Sequence, residues 1–400
     1  MDTIHKKVAM FARKLQMHLP PHQSAFLWGA RQTGKSSYLK THFKDAIYYD
    51  LLDTHEVTRL IRSPHLLREE ILAAPTEKRK QPIIIDEIQK IPDLLNEVHW
   101  LIENANVQFI LCGSSARKLK TQATNLLGGR AWKYQFYPLI FPEISDFDLL
   151  RALQQGLIPN HYLSEKKYIN DHFQAYVDIY LTDEIRNEGL VRNLAGFSRF
   201  LDIAALCNGE MINATNIARD CGVDRTTVQN YYQILIDTLL GYYVYPYSKK
   251  IKRDIIVSTP KFYLFDVGVS NYIAKQPISI LKGSAAGKSF EHYIFMELQA
   301  YLGMMRKRDK ISYWRTKMGL EVDFILGDAR IAIEVKINDQ VHQQDLKGLI
   351  AFCEEFPHAE AMVVSQDKRP RLLKINDQLS INILPWKIFL ERLWNNEILK

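Results

Sequence analysis

The chain has 400 residues, of which 47% are hydrophobic and 24% charged, a composition typical of a folded globular protein and not of a disordered or fibrous one. The length is too great for one ordinary core and predicts roughly two to four domains. An excess of 52 basic over 45 acidic residues gives a net charge of +7, which permits a nucleic-acid partner without requiring one.

The sequence also lacks the segments that direct a chain into a membrane or out of the cell. No apolar run approaches the roughly 20 residues of a membrane-spanning helix. Residues 1–19 predict a short amphipathic helix with Arg13 and other basic side chains outward, and not a secretory signal. The four cysteines are scattered without a CxxC pair, which argues against a structural zinc site and a disulfide framework. These features predict a protein of the reducing cytoplasm.

Strand and helix signals divide the chain into four segments. In residues 1–142 short apolar strands alternate with helical stretches, which predicts βαβ crossovers and a mostly parallel sheet. Residues 143–209 predict a helical lid or connector, and residues 210–256 a winged helix-turn-helix. Residues 257–400 mix strands and helices again. The predicted fold class is therefore α/β.

A phosphate-binding loop is the strongest motif in the sequence. Residues 29–36, Gly-Ala-Arg-Gln-Thr-Gly-Lys-Ser, fit GxxxxGK[ST] between a predicted strand and a predicted helix. The two glycines permit backbone angles that turn successive N–H groups toward a phosphate. Lys35 is expected to reach the β- and γ-phosphates and Ser36 to bind Mg²⁺, whereas Arg31 favours a surface or partner contact. The residues predicted to bind ATP are Gly29, Ala30, Arg31, Gln32, Thr33, Gly34, Lys35, Ser36 and Ser37.

Carboxylates and hydroxyls follow the other predicted strands. An isoleucine-rich strand ends in Asp86 and Glu87, and the next strand along the chain leads to Ser114 and Ser115. Because ligands of parallel sheets bind at the carboxyl ends of the strands, we expect Asp86 to hold Mg²⁺ through water. Glu87 is the predicted general base for the attacking water. Ser114, with Ser115 as second choice, would sense the γ-phosphate or position the water, and a simple turn is the alternative.

One arginine is a candidate for direct contact with the nucleotide. Arg130 follows two glycines, and an arginine on such a loop can reach a γ-phosphate in its own subunit or in a neighbouring one. Arginines in this role contribute about 10³–10⁵ in rate. The alternative is a solvated surface arginine.

Taken together, these motifs resemble a known family. The phosphate loop, Ile-Ile-Ile-Asp-Glu-Ile, Gly-Ser-Ser-Ala and Leu-Leu-Gly-Gly-Arg followed by Tyr-Pro-Leu are similar to those of AAA-type P-loop ATPases of bacteria and archaea. In that family a C-terminal domain of unknown function, related to PD-(D/E)XK nucleases, follows the ATPase domain. The resemblance implies ATP binding, hydrolysis and self-association into a homo-oligomer.

The middle of the chain has the pattern of a winged helix-turn-helix. Residues 215–221 predict a short helix, Gly222–Asp224 a turn, and residues 225–240 a longer helix, after which residues 242–245 would begin the wing. DNA contact is one interpretation, and a rigid connector or protein-docking module is the other, because a fold alone does not determine function. The residues expected to contact DNA are Arg225, Thr226, Thr227 and Gln229 in the groove, and Lys249, Lys250, Lys252 and Arg253 on phosphates.

A predicted β-hairpin carries the second set of candidate catalytic residues. Residues 321–336 alternate apolar and polar residues about a Gly-Asp turn. A turn with an even number of residues places the apolar residues of both strands on one face, whereas an odd number splits them, so the pattern favours the even turn. The polar residues that would then share the opposite face are Glu321, Asp323, Glu334 and Lys336.

An aspartate followed by Glu-x-Lys on the neighbouring strand is the pattern of metal-dependent nucleases. Asp323 and Glu334 would bind Mg²⁺ or Mn²⁺, and Lys336 would orient or activate the water. Glu291, on a predicted helix, is a further candidate ligand, a role that the family resemblance also implies. These residues predict a restriction-endonuclease-like α/β domain. The alternative is a salt-bridge cluster on a half-exposed sheet.

Three hypotheses follow from these patterns. The first is an Mg²⁺-dependent ATP hydrolase that acts on or near DNA and carries a nuclease-like domain. The second is an ATP-switched regulatory or assembly module whose C-terminal domain is a catalytically silent binding surface. The third, a DNA-binding regulator with a vestigial nucleotide site, is disfavoured by the complete set of Lys35, Ser36, Asp86 and Glu87.

Overall fold

The computed structural model describes residues 11–115, 127–181, 191, 193–248 and 259–399, and it describes the backbone alone at residues 179–181. The chain divides into two compact units. The first unit consists of residues 1–139 and 237–240, and the second of residues 140–236 and 241–400.

The first unit is built on a five-stranded sheet in the order β2-β3-β4-β1-β5. All of its strand pairs are parallel, which confirms the predicted α/β architecture with a parallel sheet. The strands are β1 Ser24–Trp28, β2 Tyr48–Asp50, β3 Ile83–Asp86, β4 Phe109–Gly113 and β5 Ala131–Gln135. The helices are α1 Lys35–His42, α2 Thr54–Arg62, α3 Leu66–Ala73, α4 Thr76–Arg79 and α5 Leu94–Ala105.

The core of this unit explains the apolar strand runs in the sequence. Every residue of β1, β3 and β4 is buried, as expected for a parallel sheet that is covered on both faces. Ile83 and Ile85 pack in one cluster with residues of β1, β4, α3 and α5. The carboxyl ends of β1, β3 and β4 therefore lie side by side at one edge of a rigid layer.

The N-terminal segment differs from its prediction. Residues 11–19 lie outside helices and strands, and residues 1–10 lie outside the described residues. Arg13, expected to face outward on an amphipathic helix, is partly buried and donates hydrogen bonds to the carbonyls of Thr33 and Tyr137. These tertiary hydrogen bonds fix Arg13 against the phosphate loop and Tyr137, which helical periodicity does not anticipate.

The second unit begins with helices, as predicted for residues 143–209. They are α6 Leu149–Gln155, α7 Pro159–Leu163, α8 Ile169–Gln174, a π-helical stretch at Ala175–Leu181, and α9 Leu194–Leu206. Two further helices, α10 Ala214–Cys221 and α11 Arg225–Asp237, are joined by the predicted turn. Gly222 ends α10 in the left-handed conformation at φ 68°, and the Asp224 side chain accepts the Thr227 N–H at 2.8 Å.

The rest of the second unit is a mixed eight-stranded sheet with the order β12-β13-β11-β10-β9-β8-β6-β7. Its strands are β6 Gly241–Pro246, β7 Lys261–Leu264, β8 Ser312–Arg315, β9 Glu321–Leu326, β10 Ile331–Lys336, β11 Glu360–Ser365, β12 Arg371–Lys374 and β13 Ser380–Pro385. Its helices are α12 Val267–Ile273, α13 Gly283–Met304, α14 Lys347–Glu355 and α15 Trp386–Trp394.

Strand β6, which the sequence assigned to a wing, is part of this large sheet. It pairs antiparallel with β7 and parallel with β8. The boundary predicted at residue 256 thus falls between two paired strands of one sheet. The wing residues Lys249, Lys250, Lys252 and Arg253 lie outside the described residues.

The β9–β10 hairpin has the predicted register over part of its length. Leu326 pairs with Ile331 and Phe324 with Ile333, so the turn is even. The β8–β9 pairing, however, shifts register between Ser312 and Trp314. Phe324 packs on the Phe295 ring, whereas Val322 joins the other core cluster. Strict alternation is therefore wrong at Val322, because the register shift leaves two residues, Asp323 and Phe324, between Val322 and Ile325 of the same cluster.

Within the described residues, no helix combines the length and the apolar character needed to cross a membrane.

Candidate nucleotide site and C-terminal carboxylate cluster

The structure brings together two candidate Mg²⁺ ligands that are distant in the sequence. The Ser36 hydroxyl donates to Oδ2 of Asp86 at 2.6 Å, across a sequence separation of 50 residues. Tyr48, at the start of β2, donates to the same oxygen at 2.5 Å. Burial, with the Asp86 charge, raises the pKa of Tyr48 well above its usual range. The tyrosine therefore stays a neutral donor that helps to orient the carboxylate.

The phosphate loop has the backbone that the motif requires. Gly34 has φ 99°, in the left-handed region. A Cβ at Gly29 would lie 2.3 Å from the Phe136 carbonyl oxygen, so only glycine fits there. Thr33 closes the loop by donating to the Ala30 carbonyl at 2.7 Å.

Lys35 is held by the loop itself. Its side chain donates to the carbonyl oxygens of Gly29 at 2.7 Å and Ala30 at 3.0 Å. The residue is only 5% exposed. The ammonium group therefore lies inside the concave face of the loop, where phosphate oxygens can exchange with carbonyl oxygens as its acceptors.

The predicted general base is part of a hydrogen-bonded trio. Glu87, at φ 58°, lies just beyond β3 in the left-handed conformation. Its Oε2 accepts hydrogen bonds from the Ser114 hydroxyl at 3.2 Å and from the Gln89 amide. Strand β4 lies between β1 and β3, so Ser114 lies at the strand end between the phosphate loop and Glu87. Arg31 approaches the Ser114 hydroxyl at 3.4 Å.

Sequence reasoning missed Gln89. It is buried, and its Oε1 has no hydrogen-bond partner among the described residues. A Cβ at Gly113 would lie 2.4 Å from that oxygen, so the absence of a side chain on β4 admits the amide. Gln89 lies in a short 3-10 helix. The sequence signal that could have identified it is its position two residues after Glu87.

Arg13 is a second residue that sequence reasoning missed. It donates to Thr33 O at 2.6 Å in the phosphate loop and to Tyr137 O at 2.7 Å near the end of the unit. Its guanidinium lies 4.1 Å from the centre of the Phe136 ring. One side chain thus connects the phosphate loop to the last residues of the first unit.

The structure does not bring Arg130 to the phosphate loop of its own chain. β5 runs parallel to β1 with Ala131 opposite Ser24, so Arg130 lies at the amino-terminal edge of the sheet. The phosphate loop lies beyond the opposite end of β1. Arg130 pairs there with Glu103, which lowers the pKa of that carboxyl. A contact within one subunit is thus contradicted by the strand direction, and a contact between subunits stays a prediction.

In the second unit, the hairpin brings its polar residues close together. Asp323 accepts the Val335 N–H at 2.8 Å, and Lys336 donates to Glu334 Oε1 at 2.7 Å. Burial and the nearby Glu334 raise the pKa of Asp323 well above its usual range. Burial likewise raises the pKa of Glu334, whose Oε2 has no hydrogen-bond partner among the described residues.

Glu291 joins this cluster from α13, with two partners from β7. The Tyr263 hydroxyl lies 2.5 Å from Glu291 Oε1, and Lys261 Nζ lies 3.5 Å from the same oxygen. Lys261 also pairs with Glu321 Oε1 at 2.5 Å. Arg315 is a second partner of Glu321. We refer to Lys261, Glu291, Glu321, Asp323, Glu334 and Lys336 as the carboxylate cluster.

The candidate DNA-contacting residues differ in exposure. Arg225, Thr226 and Gln229 are exposed on α11. Thr227 instead donates its hydroxyl to Asp224 Oδ2 at 2.6 Å, a bond within the N-terminal cap of the helix that begins at Arg225.

Three family models match consecutive parts of the chain. A model described as AAA domain matches residues 21–145. These findings support an AAA-type ATPase. Two domains of unknown function follow the AAA domain, DUF8612 at residues 146–278 and DUF4143 at residues 286–389.

The curated relatives that match most of this chain are described as uncharacterized proteins. An uncharacterized protein of Mycobacterium tuberculosis is 24% identical over 78% of this chain and 69% of its own length. One from Methanocaldococcus jannaschii is 24% identical over 86% of this chain and 82% of its own. A solved Aeropyrum pernix ORC1 protein in complex with DNA matches 64% of this chain and 87% of its own at 14% identity, with a TM-score of 0.23. A likeness of that size carries no weight on fold or function.

The donor set of the AAA domain fits Mg²⁺. The Ser36 hydroxyl and the Asp86 carboxylate are hard oxygen ligands, and P-loop proteins complete such a site with water and phosphate oxygens. The described residues contain no group of three or more His, Cys, Asp or Glu side chains arranged to hold a metal ion. A nucleotide-dependent Mg²⁺ site needs no such group, because phosphate supplies the remaining ligands.

The carboxylate cluster does not fit a metal ion in the same way. Lys261 pairs with Glu291 and Glu321, and Lys336 pairs with Glu334. One carboxylate oxygen of Asp323 accepts a hydrogen bond from the backbone N–H of Val335. The predicted residues are brought together, but one carboxylate oxygen each of Glu291, Asp323 and Glu334 already contacts a protein cation or donor.

Proposed function

We propose that the chain is an Mg²⁺-dependent ATPase that binds and hydrolyses ATP at its AAA domain. The contact between Ser36 and Asp86 at 2.6 Å is the observation that carries the proposal. It joins the last residue of the phosphate motif to the carboxylate of β3, the pair that holds Mg²⁺ in P-loop ATPases. The adjacent Glu87 and Ser114 supply a base and a hydroxyl beside the same strand ends.

Each residue has a role that follows from its chemistry. The loop N–H groups and Lys35 bind the β- and γ-phosphates, and Ser36 and Asp86 hold Mg²⁺ directly and through water. Glu87 accepts the proton of the attacking water as general base. Ser114, already hydrogen-bonded to Glu87, positions that water or senses the γ-phosphate.

Two variants with a matched control test this function. Lys35→Ala is expected to abolish Mg²⁺-dependent ATP turnover and to weaken ATP binding, because the Lys35 ammonium lies inside the concave face of the loop. Glu87→Gln is expected to bind ATP as the wild type does while losing turnover. Lys44→Ala removes an exposed lysine just beyond α1 and should change neither quantity. Wild-type turnover in Lys35→Ala would reject the site.

For the second unit we favour the ATP-switched module over the nuclease. Lys261 and Lys336 already pair with three of the four cluster carboxylates, and this supports a catalytically silent binding domain. The rival hypothesis assigns metal-dependent DNA cleavage to Asp323, Glu334 and Lys336. Incubation of supercoiled DNA with Mn²⁺ separates the two, with Glu334→Gln as the control for a contaminating nuclease. Cleavage that this variant loses would favour the rival.

DNA is the partner that the charge of the chain supports best. The net charge is +7, and α11 exposes Arg225, Thr226 and Gln229 on one helix. We further propose that ATP binding promotes self-association, in which Arg130 could complete a neighbour's site in place of its pairing with Glu103. Sedimentation with and without ATP tests the assembly, and loss of turnover in Arg130→Ala would support the role of the arginine.

A further inference from the structure

Lys261 is the buried centre of the carboxylate cluster. Its side chain is 5% exposed, and its ammonium lies 2.5 Å from Glu321 Oε1 and 3.5 Å from Glu291 Oε1. Lys261 extends from β7, the edge strand of the sheet. Strands β6, β8 and β9 lie between β7 and β10, which carries Glu334. The lysine therefore enters the cluster opposite Lys336.

Two carboxylates compensate the buried charge of Lys261. Its ammonium contacts Glu321 Oε1 and Glu291 Oε1, although the side chain is almost fully buried. A buried carboxylate group without a compensating cation is strongly disfavoured. The ammonium thus supplies the positive charge that these carboxylates need, whether or not the solution contains a divalent ion.

The cluster is also open to ions from solution. It borders a polar cavity of about 370 Å³ that Lys261, Glu291, Glu321 and Arg315 line. Mg²⁺ and Mn²⁺ prefer carboxylate oxygens of the kind present here. The ammonium lies between two of these carboxylates, Glu291 and Glu321, and opposes the binding of a divalent ion there.

We propose that Lys261 takes the place of a divalent cation in the carboxylate cluster, so that the second unit binds no Mg²⁺ or Mn²⁺ there. The ammonium supplies one positive charge and hydrogen-bond donors from a covalently attached side chain. Unlike a divalent metal ion, it is not a Lewis acid. The ammonium then ties α13 and β7 to β9 through Glu291 and Glu321. Removal of the lysine charge should convert the cluster into a cation site.

Mn²⁺ binding to the full chain without nucleotide tests this proposal. Free Mn²⁺ is measured by electron paramagnetic resonance for the wild type, Lys261→Met and Lys288→Met. Lys288 lines the same cavity but pairs with Glu210, outside the cluster, and is therefore the matched control. Lys261→Met is expected to gain one site, at least about tenfold tighter than any in the wild type, that Glu334→Gln removes. Lys288→Met should match the wild type.

Two outcomes would overturn the proposal. The first is a wild-type Mn²⁺ site that Glu334→Gln abolishes, and this comparison does not depend on whether Lys261→Met folds. The second is a Lys261→Met protein with wild-type circular dichroism that gains no Mn²⁺ site. Should the variant be less stable, an increase of its melting temperature with Mn²⁺, absent in the wild type, would support the proposal by linkage. Weak Mn²⁺ binding at the AAA domain is common to all variants and insensitive to Glu334.

Discussion

The Ser114 hydroxyl lies 3.2 Å from Oε2 of Glu87, and the Gln89 amide donates to the same oxygen. Both donors bind the same carboxylate oxygen and thereby restrain the orientation of the Glu87 side chain. The other oxygen, Oε1, is the one left to accept a proton from water. We expect this restraint on the predicted general base to limit hydrolysis.

Gln89→Ala should raise ATP turnover without changing the affinity for ATP. Loss of one donor frees Glu87, and we expect an increase of about threefold or more, a small part of the roughly 10²–10⁴ that a general base contributes. Steady-state turnover together with the Kd for a fluorescent ATP analogue measures both quantities. A decrease in turnover would instead make Gln89 a residue that positions Glu87 or the water.

Arg13→Ala should weaken ATP binding. The variant loses the hydrogen bond to the Thr33 carbonyl, which supports the phosphate loop from outside. Hydrogen bonds to charged groups contribute about 1.5–3 kcal/mol, so we expect the Kd for ATP to rise about tenfold. Lys14→Ala, which removes the exposed neighbouring cation, serves as the control. Equal affinities of the two variants would reject the role of Arg13.

A buried carboxyl makes the stability of the second unit depend on pH. Glu297 on α13 accepts hydrogen bonds from the Phe141 N–H and the Trp394 indole at 2.8 Å each. Burial raises the pKa of Glu297 from 4.5 to about 7. Because the folded state then binds more protons than the unfolded state between these values, its stability should fall as pH rises from about 4.5 to about 7.

Glu297→Gln should flatten this dependence. In the wild type the free energy of unfolding should fall by up to about 3 kcal/mol across that pH window. The amide of the variant cannot titrate, so this decrease should be absent. The variant keeps one acceptor oxygen for two donors and should be less stable than the wild type at the acidic end. Urea unfolding at several pH values measures the effect. Asp266, whose pKa burial raises to about 6, remains in the variant and leaves a smaller slope of the same sign. An unchanged slope would exclude Glu297 as its source.

Arg225→Ala should weaken DNA binding about tenfold if α11 contacts DNA, the loss expected for one arginine contact. Fluorescence anisotropy between 50 and 200 mM salt, roughly the range over which phosphate contacts are lost, gives both affinity and salt slope. Arg219→Ala is the matched control, since Arg219 is 75% exposed on the preceding helix and pairs with Asp220. Binding that is independent of salt would remove DNA as the partner.

Local patterns were sufficient for much of the first unit. The phosphate loop is contiguous in the sequence, and Asp86, Glu87 and Ser114 follow predicted strands. Since parallel strands end at one edge of a sheet, their proximity could be anticipated before the fold was known. The Arg130 prediction rested on its glycine loop and not on this rule, and Arg130 lies at the other edge because it precedes its strand.

The sequence alone determined the α/β class, the phosphate loop and the even turn that pairs Phe324 with Ile333. Only the tertiary structure decided which charges neutralise which carboxylates. Lys261 lies 30 residues before Glu291 and 60 before Glu321 and carries no motif of its own. The position of its ammonium depends on the pairing of β6, β7 and β8 in one sheet. Side chains meet through strand order and register, and these depend on packing across the whole sheet and not on neighbouring residues.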